Sequence, residues 1–291
     1  MPQTVLTRGV PTRAVVTGAA RGIGRAVAAR LVAEGWQVVV SDLDAAELET
    51  AAAVTGAHPV PADVATDAGV AGLLSAASEH LGQVDAFFGN AGIALMGGLD
   101  TPDADWARIL EVNVMAHVRA ARRLVPEWVE RGGGRFVVTA SAAGLLTMLQ
   151  DLPYSVTKHA AVALVEWINA TYRHHGIVAQ AVCPQGVQTR ILEQSGPLAG
   201  LLSHDRALTA EQVADSVWAG LQTDVALILP HPEVHDYYVK RATDPDGWLA
   251  GMNHLQQKLE QHIEAQPERQ RAGASGASTR HTHVIDTEEH K

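Results

Sequence analysis

The stretch VVTGAARGIGRAVAARL, Val15 to Leu31, decides how the chain is read. A short β-branched run ends in a turn with Gly18, Gly22 and Gly24 spaced G-x-x-x-G-x-G, and a helical pattern begins inside that turn. Glycines there let the backbone bend tightly and approach a pyrophosphate, whose charge sits among the unpaired N–H groups of a helix N-terminus. A glycine-rich connector alone would explain the composition. The strand–turn–helix context favours a phosphate cradle on Gly18, Gly22 and Gly24, with Thr17, Arg21 and Ile23 of the same turn as further cofactor-binding candidates.

Outward from this turn, apolar runs alternate with helical segments. Strands are expected at Arg13–Gly18, Trp36–Asp42, Ala57–Val64, Val84–Asn90, Gly134–Ser141, Gly176–Pro184 and Val225–Pro230. They are continuously apolar, as parallel strands covered on both faces are. GRAVAARLVAEG, AGVAGLLSAASEHLG and DADWARILEVNVMAHVRAARRLVPEWVER read as amphipathic helices between them. The expected fold is α/β: a Rossmann-type doubly wound parallel sheet of about seven strands, helices on both faces, in a single domain. That domain is placed at residues 11–232, after an arm at 1–10 and before a helical extension at 233–265 and a polar, disordered tail at 266–291. Thr101-Pro102 reads as an N-cap followed by proline at the first helical position, and Thr209 with Gln212 has capping-box spacing. Trp248, Met252, Leu255, Leu259 and Ile263 form one helical stripe that suits packing on the same body, covering a site, or meeting a partner.

A chain of 291 residues, 47% hydrophobic, buries a substantial core without crosslinks. The single cysteine, Cys183, excludes an internal disulfide and reads as a buried, inert thiol. A formal net charge of -10 argues against a nucleic-acid binder that neutralises phosphates. No secretory signal or bilayer-length apolar run is found, so a cytoplasmic location without membrane association is expected. The histidines lack metal-ligand spacing, and no metal is expected.

Asp42 closes the second expected strand, where a carboxylate accepts hydrogen bonds from the adenosine ribose and repels a 2′-phosphate. NAD is therefore favoured over NADP, with Arg21 as the countervailing cation. Asp63 either accepts from the adenine amine or is a loop aspartate.

Several motifs in order now resemble the short-chain dehydrogenase/reductase family over residues 11 to 230. They are TGAARGIG at Thr17–Gly24, DV at Asp63–Val64, NAG at Asn90–Ala91–Gly92, Asn113 in EVNV, Ser141 in VVTASAAG, and Tyr154 with Lys158 in YSVTK. The resemblance implies a catalytic set of Asn113, Ser141, Tyr154 and Lys158 acting between an alcohol and a ketone. Tyr154 would be the base or acid, which requires its pKa to fall well below about 10. Lys158, one helical turn on, would stabilise the phenolate and bind the nicotinamide ribose. Ser141 would orient the substrate oxygen, and Asn113 would hold a relay water. The family commonly has Pro-Gly after the sixth strand, whereas this chain has Pro184-Gln185-Gly186. Gln185 puts the nicotinamide-side path in question, while Pro184, Gly186, Val187 and Thr189 keep cofactor positions.

The expected substrate is a moderately apolar secondary alcohol or ketone. Leu95, Met96, Leu145, Leu146, Met148, Gln150, Leu152 and Gln185 are candidate walls, with Ile191–Leu202 as a lid. The helix from Tyr154 is apolar nearly all round, and a homodimer or homotetramer through Ala160, Leu164 and Trp167 is expected. Two further classes remain: a catalytically idle NAD-binding regulatory protein, and an NAD-using epimerase or dehydratase.

Overall fold

The computed structural model describes residues 12–189 and 207–264. Seven parallel strands form one sheet in the order β3-β2-β1-β4-β5-β6-β7. They are β1 (Arg13–Thr17), β2 (Gln37–Ser41), β3 (His58–Pro59), β4 (Ala86–Gly89), β5 (Gly134–Thr139), β6 (Ile177–Val182) and β7 (Leu227–Ile228). β1 pairs with β2 on one side, Val16 opposite Val40, and with β4 on the other, Val16 opposite Phe88. The winding direction reverses between β1 and β4, and in open α/β sheets ligands bind outside the carboxyl ends of the strands at such a switch point.

The helices follow from the pattern of the sequence. They are α1 (Gly22–Ala33), α2 (Ala45–Thr55), α3 (Asp67–Leu81), α4 (Asp103–Leu110), α5 (Ala116–Arg131), α6 (Ala143–Leu146), α7 (Leu152–Tyr172), α8 (Ala210–Leu221) and α9 (Glu233–Thr243). Alternate strand residues serve the two faces. Val16, Phe88, Val137 and Val182 pack with Val27 and Leu31 of α1 and Val213 and Val217 of α8. On the other face Phe87 stacks on Phe136 at 5.3 Å between ring centroids, and Trp128 of α5 meets Phe136 edge-on at 6.3 Å.

Some expected elements differ in extent. β3 shrinks to two residues because Pro59 and Pro61 bring no N–H to a ladder. The long helical run after Asp103 is broken by a π turn at Glu111–Met115 between α4 and α5. Pro102, not Thr101, occupies the N-cap of α4, and the Thr101 hydroxyl instead donates to the Gly98 carbonyl at 2.9 Å. The capping box at Thr209 and Gln212 is present on α8.

The extension expected from residue 233 divides. A compact unit runs to Asp244 and includes α9, whose Val234 is fully buried. Pro245–Lys291 form a second unit, and its described part is one helix, α10 (Pro245–Glu264), carrying Trp248, Met252, Leu255 and Leu259. The side chain of Ile263, the arm at 1–10, the Ile191–Leu202 lid and the 266–291 tail lie outside the described residues. No described helix is long and apolar enough to cross a membrane.

Candidate active site

The end of β1 is tied to the loop after β4. Thr17 Oγ1 accepts from the amides of Asn90 and Ala91, both at 3.1 Å. Asn90 Nδ2 donates to the Gly18 carbonyl at 3.0 Å, and its Oδ1 accepts from Thr139 Oγ1 at 3.0 Å. Gly18 lies at φ +63, and a Cβ there would come within 2.7 Å of Ala91 Cα. A Cβ on Gly24 would stand 2.3 Å from the Gly18 carbonyl oxygen. Both positions exclude any side chain.

The N-terminus of α1 is left open. Arg21 caps it with extended backbone but no side-chain hydrogen bond, and its first turn holds no acid. By contrast α2, α3, α7 and α8 are capped by Asp44, Thr66, Asp151 and Thr209. A helix start with unpaired N–H groups beside close-packed glycines fits a dinucleotide pyrophosphate.

Asp42 lies just beyond β2, its Oδ2 accepting from the Ala20 amide at 3.1 Å and its Oδ1 from Leu43 at 2.8 Å. Arg21 is engaged with the Glu47 carboxylate. Asp63 is exposed, with Oδ1 accepting from the Ala65 amide at 3.0 Å, and Val64 follows it in the same turn. Thr189 reaches the glycine turn from the β6 side, 3.3 Å from a Cβ built on Gly22.

Tyr154 and Lys158 lie one turn apart on α7, both buried. Lys158 Nζ donates to the Thr139 carbonyl at 2.8 Å and stands 5.4 Å from the Tyr154 ring centroid. Gly92 gives it room, since a Cβ there would lie 3.3 Å from Nζ. Burial pulls the Lys158 ammonium down to about 8. The phenol departs from expectation. Burial pushes Tyr154 up to about 12, the hydrogen bond with Ser141 draws it down, and the charge of Asp151 raises it further. Loss of water around the phenolate outweighs any help from Lys158, whose Nζ is directed to a backbone carbonyl. Cys183 is fully buried and its thiol is likewise pushed up to about 12, which keeps it unreactive.

Asn113 sits in the π turn, fully buried. Its Oδ1 accepts from the Ile93 amide at 2.9 Å, and Nδ2 donates to the Ile93 carbonyl at 2.9 Å and to Thr157 Oγ1 at 3.1 Å. Thr157 Oγ1 donates onward to the Tyr154 carbonyl at 2.9 Å. The side chain thus ties the loop after β4 to α7.

Leu95 and Met148 pack with Tyr154 in one apolar cluster that includes Ile109 and Ala143. Met96 and Gln150 are exposed at φ +54 and +64, whereas Leu145 is 2% exposed and belongs to the packed interior. The Gln185 amide donates to His231 Nδ1 at 3.2 Å, so the backbone that departs from Pro-Gly is anchored from beyond β7. The Pro184 carbonyl accepts from Ala142 at 2.8 Å, and Val187 bridges to Leu208 with the Gly186 carbonyl accepting from Leu208 at 3.0 Å. Asp151, Thr157, Thr139 and His231 were not singled out by sequence reading. Asp151 carried a signal, an Asp with proline two residues later at a helix start.

A doubly wound parallel sheet with an open, glycine-lined helix start at its switch point defines a Rossmann-type nucleotide-binding protein. The family described as short chain dehydrogenase matches residues 12–197, and the chain belongs to that family of oxidoreductases, which bind a nicotinamide cofactor. The chain is 34% identical over 220 residues to a 1-deoxy-11-beta-hydroxypentalenate dehydrogenase of Streptomyces exfoliatus, covering 72% of this chain and 80% of that one. It is 33% identical to a 2-dehydro-3-deoxy-L-rhamnonate dehydrogenase (NAD(+)) of Sphingomonas sp. (strain SKA58), covering 62% and 74%. A short-chain dehydrogenase/reductase from Burkholderia phymatum, solved in complex with NAD, superposes with a TM-score of 0.75 at 29% identity, covering 83% of this chain and 96% of that one.

Proposed function

We propose that the protein is an NAD-dependent dehydrogenase that interconverts a secondary alcohol and its ketone, with Tyr154 as the proton-transfer residue. One observation carries this reading: Tyr154 and Lys158 are buried together on α7, with the phenol hydrogen-bonded to Ser141 and Nζ held near its ring. A module that only binds nucleotide has no use for that arrangement.

A nicotinamide held in this site would supply the hydride exchange that interconverts the alcohol and ketone carbons. Thr17, Gly18, Gly22, Ile23 and Gly24 would hold the pyrophosphate, Asp42 the adenosine ribose, and Asp63 and Val64 the adenine side. Asn90, Ala91, Gly92, Pro184, Gly186, Val187 and Thr189 would frame the nicotinamide end. In ketone reduction the Tyr154 phenol gives its proton to the substrate oxygen while Ser141 hydrogen-bonds the same oxygen. At neutral pH the phenol is protonated, which suits this direction. In alcohol oxidation the phenolate takes the hydroxyl proton, assisted by the Ser141 bond and the Lys158 ammonium. A relay role for Asn113 rests on the family resemblance, since its side chain is committed to Ile93 and Thr157.

NAD over NADP is supported by the Asp42 carboxylate beside the glycine turn and by Arg21 being paired with Glu47. The 2-dehydro-3-deoxy-L-rhamnonate relative is named for NAD(+), and the Burkholderia phymatum structure holds NAD. The partly buried Leu95 and Met148 packed against Tyr154 suit a substrate with a hydrocarbon skeleton. The outer face of α7 leaves Val156 and Trp167 43% and 57% exposed, which suits a second copy of the chain. Turnover of a panel of secondary alcohols and ketones with both cofactors tests the reading. Reduced cofactor should form with at least one alcohol, faster with NAD. Tight NAD binding with no turnover on any of them would favour an idle regulatory protein.

A further inference from the structure

We infer that Asp151 is a positioning residue: it holds the substrate-side loop Leu95–Gly97 against the start of α7, and so sets where a substrate oxygen meets Tyr154. The inference rests on the assignment of Tyr154 as the proton-transfer residue. Asp151 is fully buried and accepts its hydrogen bonds from backbone amides. Oδ1 accepts from the Tyr154 amide at 3.1 Å, which is the N-cap bond of α7. Oδ2 accepts from the Met96 amide at 3.1 Å, and the Leu95 and Gly97 amides also lower its carboxyl against the burial that raises it. The segment returns the contact, with the Leu152 amide donating to the Gly97 carbonyl at 2.8 Å.

Capping alone does not explain a carboxylate here. Serine or asparagine caps a helix equally well with one acceptor oxygen. The second oxygen of Asp151 is spent on a loop 55 residues away in sequence. That loop carries Met96 at φ +54, a conformation that persists where surrounding contacts over-determine it. Leu95, next to it, packs in the cluster around Tyr154. The buried charge is placed at the N-terminus of a 21-residue helix, where the helix dipole favours an anion. Its charge also acts on the Tyr154 phenol, against the Ser141 hydrogen bond, while Lys158 Nζ stands 5.4 Å from the ring centroid and the Cys183 thiol is neutral.

Two substitutions separate the cap from the clamp. Asp151→Ser keeps a capping oxygen and gives up the loop, and Asp151→Asn keeps one acceptor and loses the charge. Both variants should bind NAD as the parent does. Amide exchange at Leu95–Gly97 should quicken about tenfold or more, and KM for the best panel substrate should rise about tenfold or more while kcat falls less. In Asp151→Asn the pH limb of alcohol oxidation should move to lower pH, because one charge opposing the phenolate is gone. Unchanged exchange at 95–97, or an Asp151→Ser variant with parental KM, would overturn the inference. If neither parent nor variants turn over any substrate, the functional assignment fails. The exchange measurement then still decides whether Asp151 holds the loop.

Discussion

Replacing His117 with glutamine should flatten the acid side of the stability curve. His117 lies on α5 one turn beyond Asn113, is 1% exposed, and has its Nε2 buried without a hydrogen-bond partner. Burial, with the Lys158 charge second, holds its imidazole down to about 3. The unfolded chain protonates this residue near its ordinary value of about 6.5. Below that pH the unfolded state takes up a proton the folded state refuses, so stability is lost as pH falls from about 6.5 towards 3. Between pH 7.5 and 5 the loss from this one group is about 2 kcal/mol, from the ratio of the two binding polynomials. Glutamine is neutral at both values and fills a similar space against Gly89, whose Cβ position lies 2.5 Å from His117 Nδ1. Urea unfolding at pH 7.5 and pH 5 measures the difference directly, and all other titrating groups cancel between the two proteins. The parent should lose about 2 kcal/mol more than His117→Gln over that interval. Equal losses would refute the reasoning, because they would mean that the imidazole charges inside the fold.

Two further outcomes follow from the site. Asp42→Ala removes the carboxylate beside the glycine turn, so the NADP-to-NAD ratio of kcat/KM should rise about tenfold or more. An unchanged ratio would remove Asp42 from the ribose site. Lys158 loses its ammonium as pH rises through about 8, so kcat/KM for reduced cofactor in ketone reduction should hold between pH 6 and 7 and decline above 8. A profile flat to pH 9.5 would show that the charge on Lys158 is not needed.

Much of this fold could be read locally. The glycine turn declares itself because strand, bend and helix start are adjacent in sequence, and the same holds for the capping box at Thr209 and Gln212. The i,i+4 spacing of Tyr154 and Lys158 on one helix is local too, whereas Ser141 beside them is implied by the family resemblance and not by any spacing. What was not legible depends on partners far away in the chain. The rise of Tyr154 to about 12 comes from burial by tertiary packing, which no spacing of residues displays. The π turn around Asn113 interrupts a run whose apolar periodicity is continuous, so pattern alone reads it as one helix. Thr101 looked like a cap because its residue type suits one, yet its hydroxyl turned back to Gly98. Asp151 has the residue type of a helix cap two positions before Pro153, but its hold on Met96 depends on a partner 55 residues away that no local pattern displays.

The central claim is that the Tyr154 phenol moves the proton while other residues hold the cofactor. It is tested most directly by Tyr154→Phe, assayed for turnover with the best alcohol of the panel and for NAD binding by titration. Loss of one hydroxyl should lower kcat by about 10² to 10⁴-fold and leave NAD affinity within about threefold of the parent. A variant that keeps most of its rate would contradict the account.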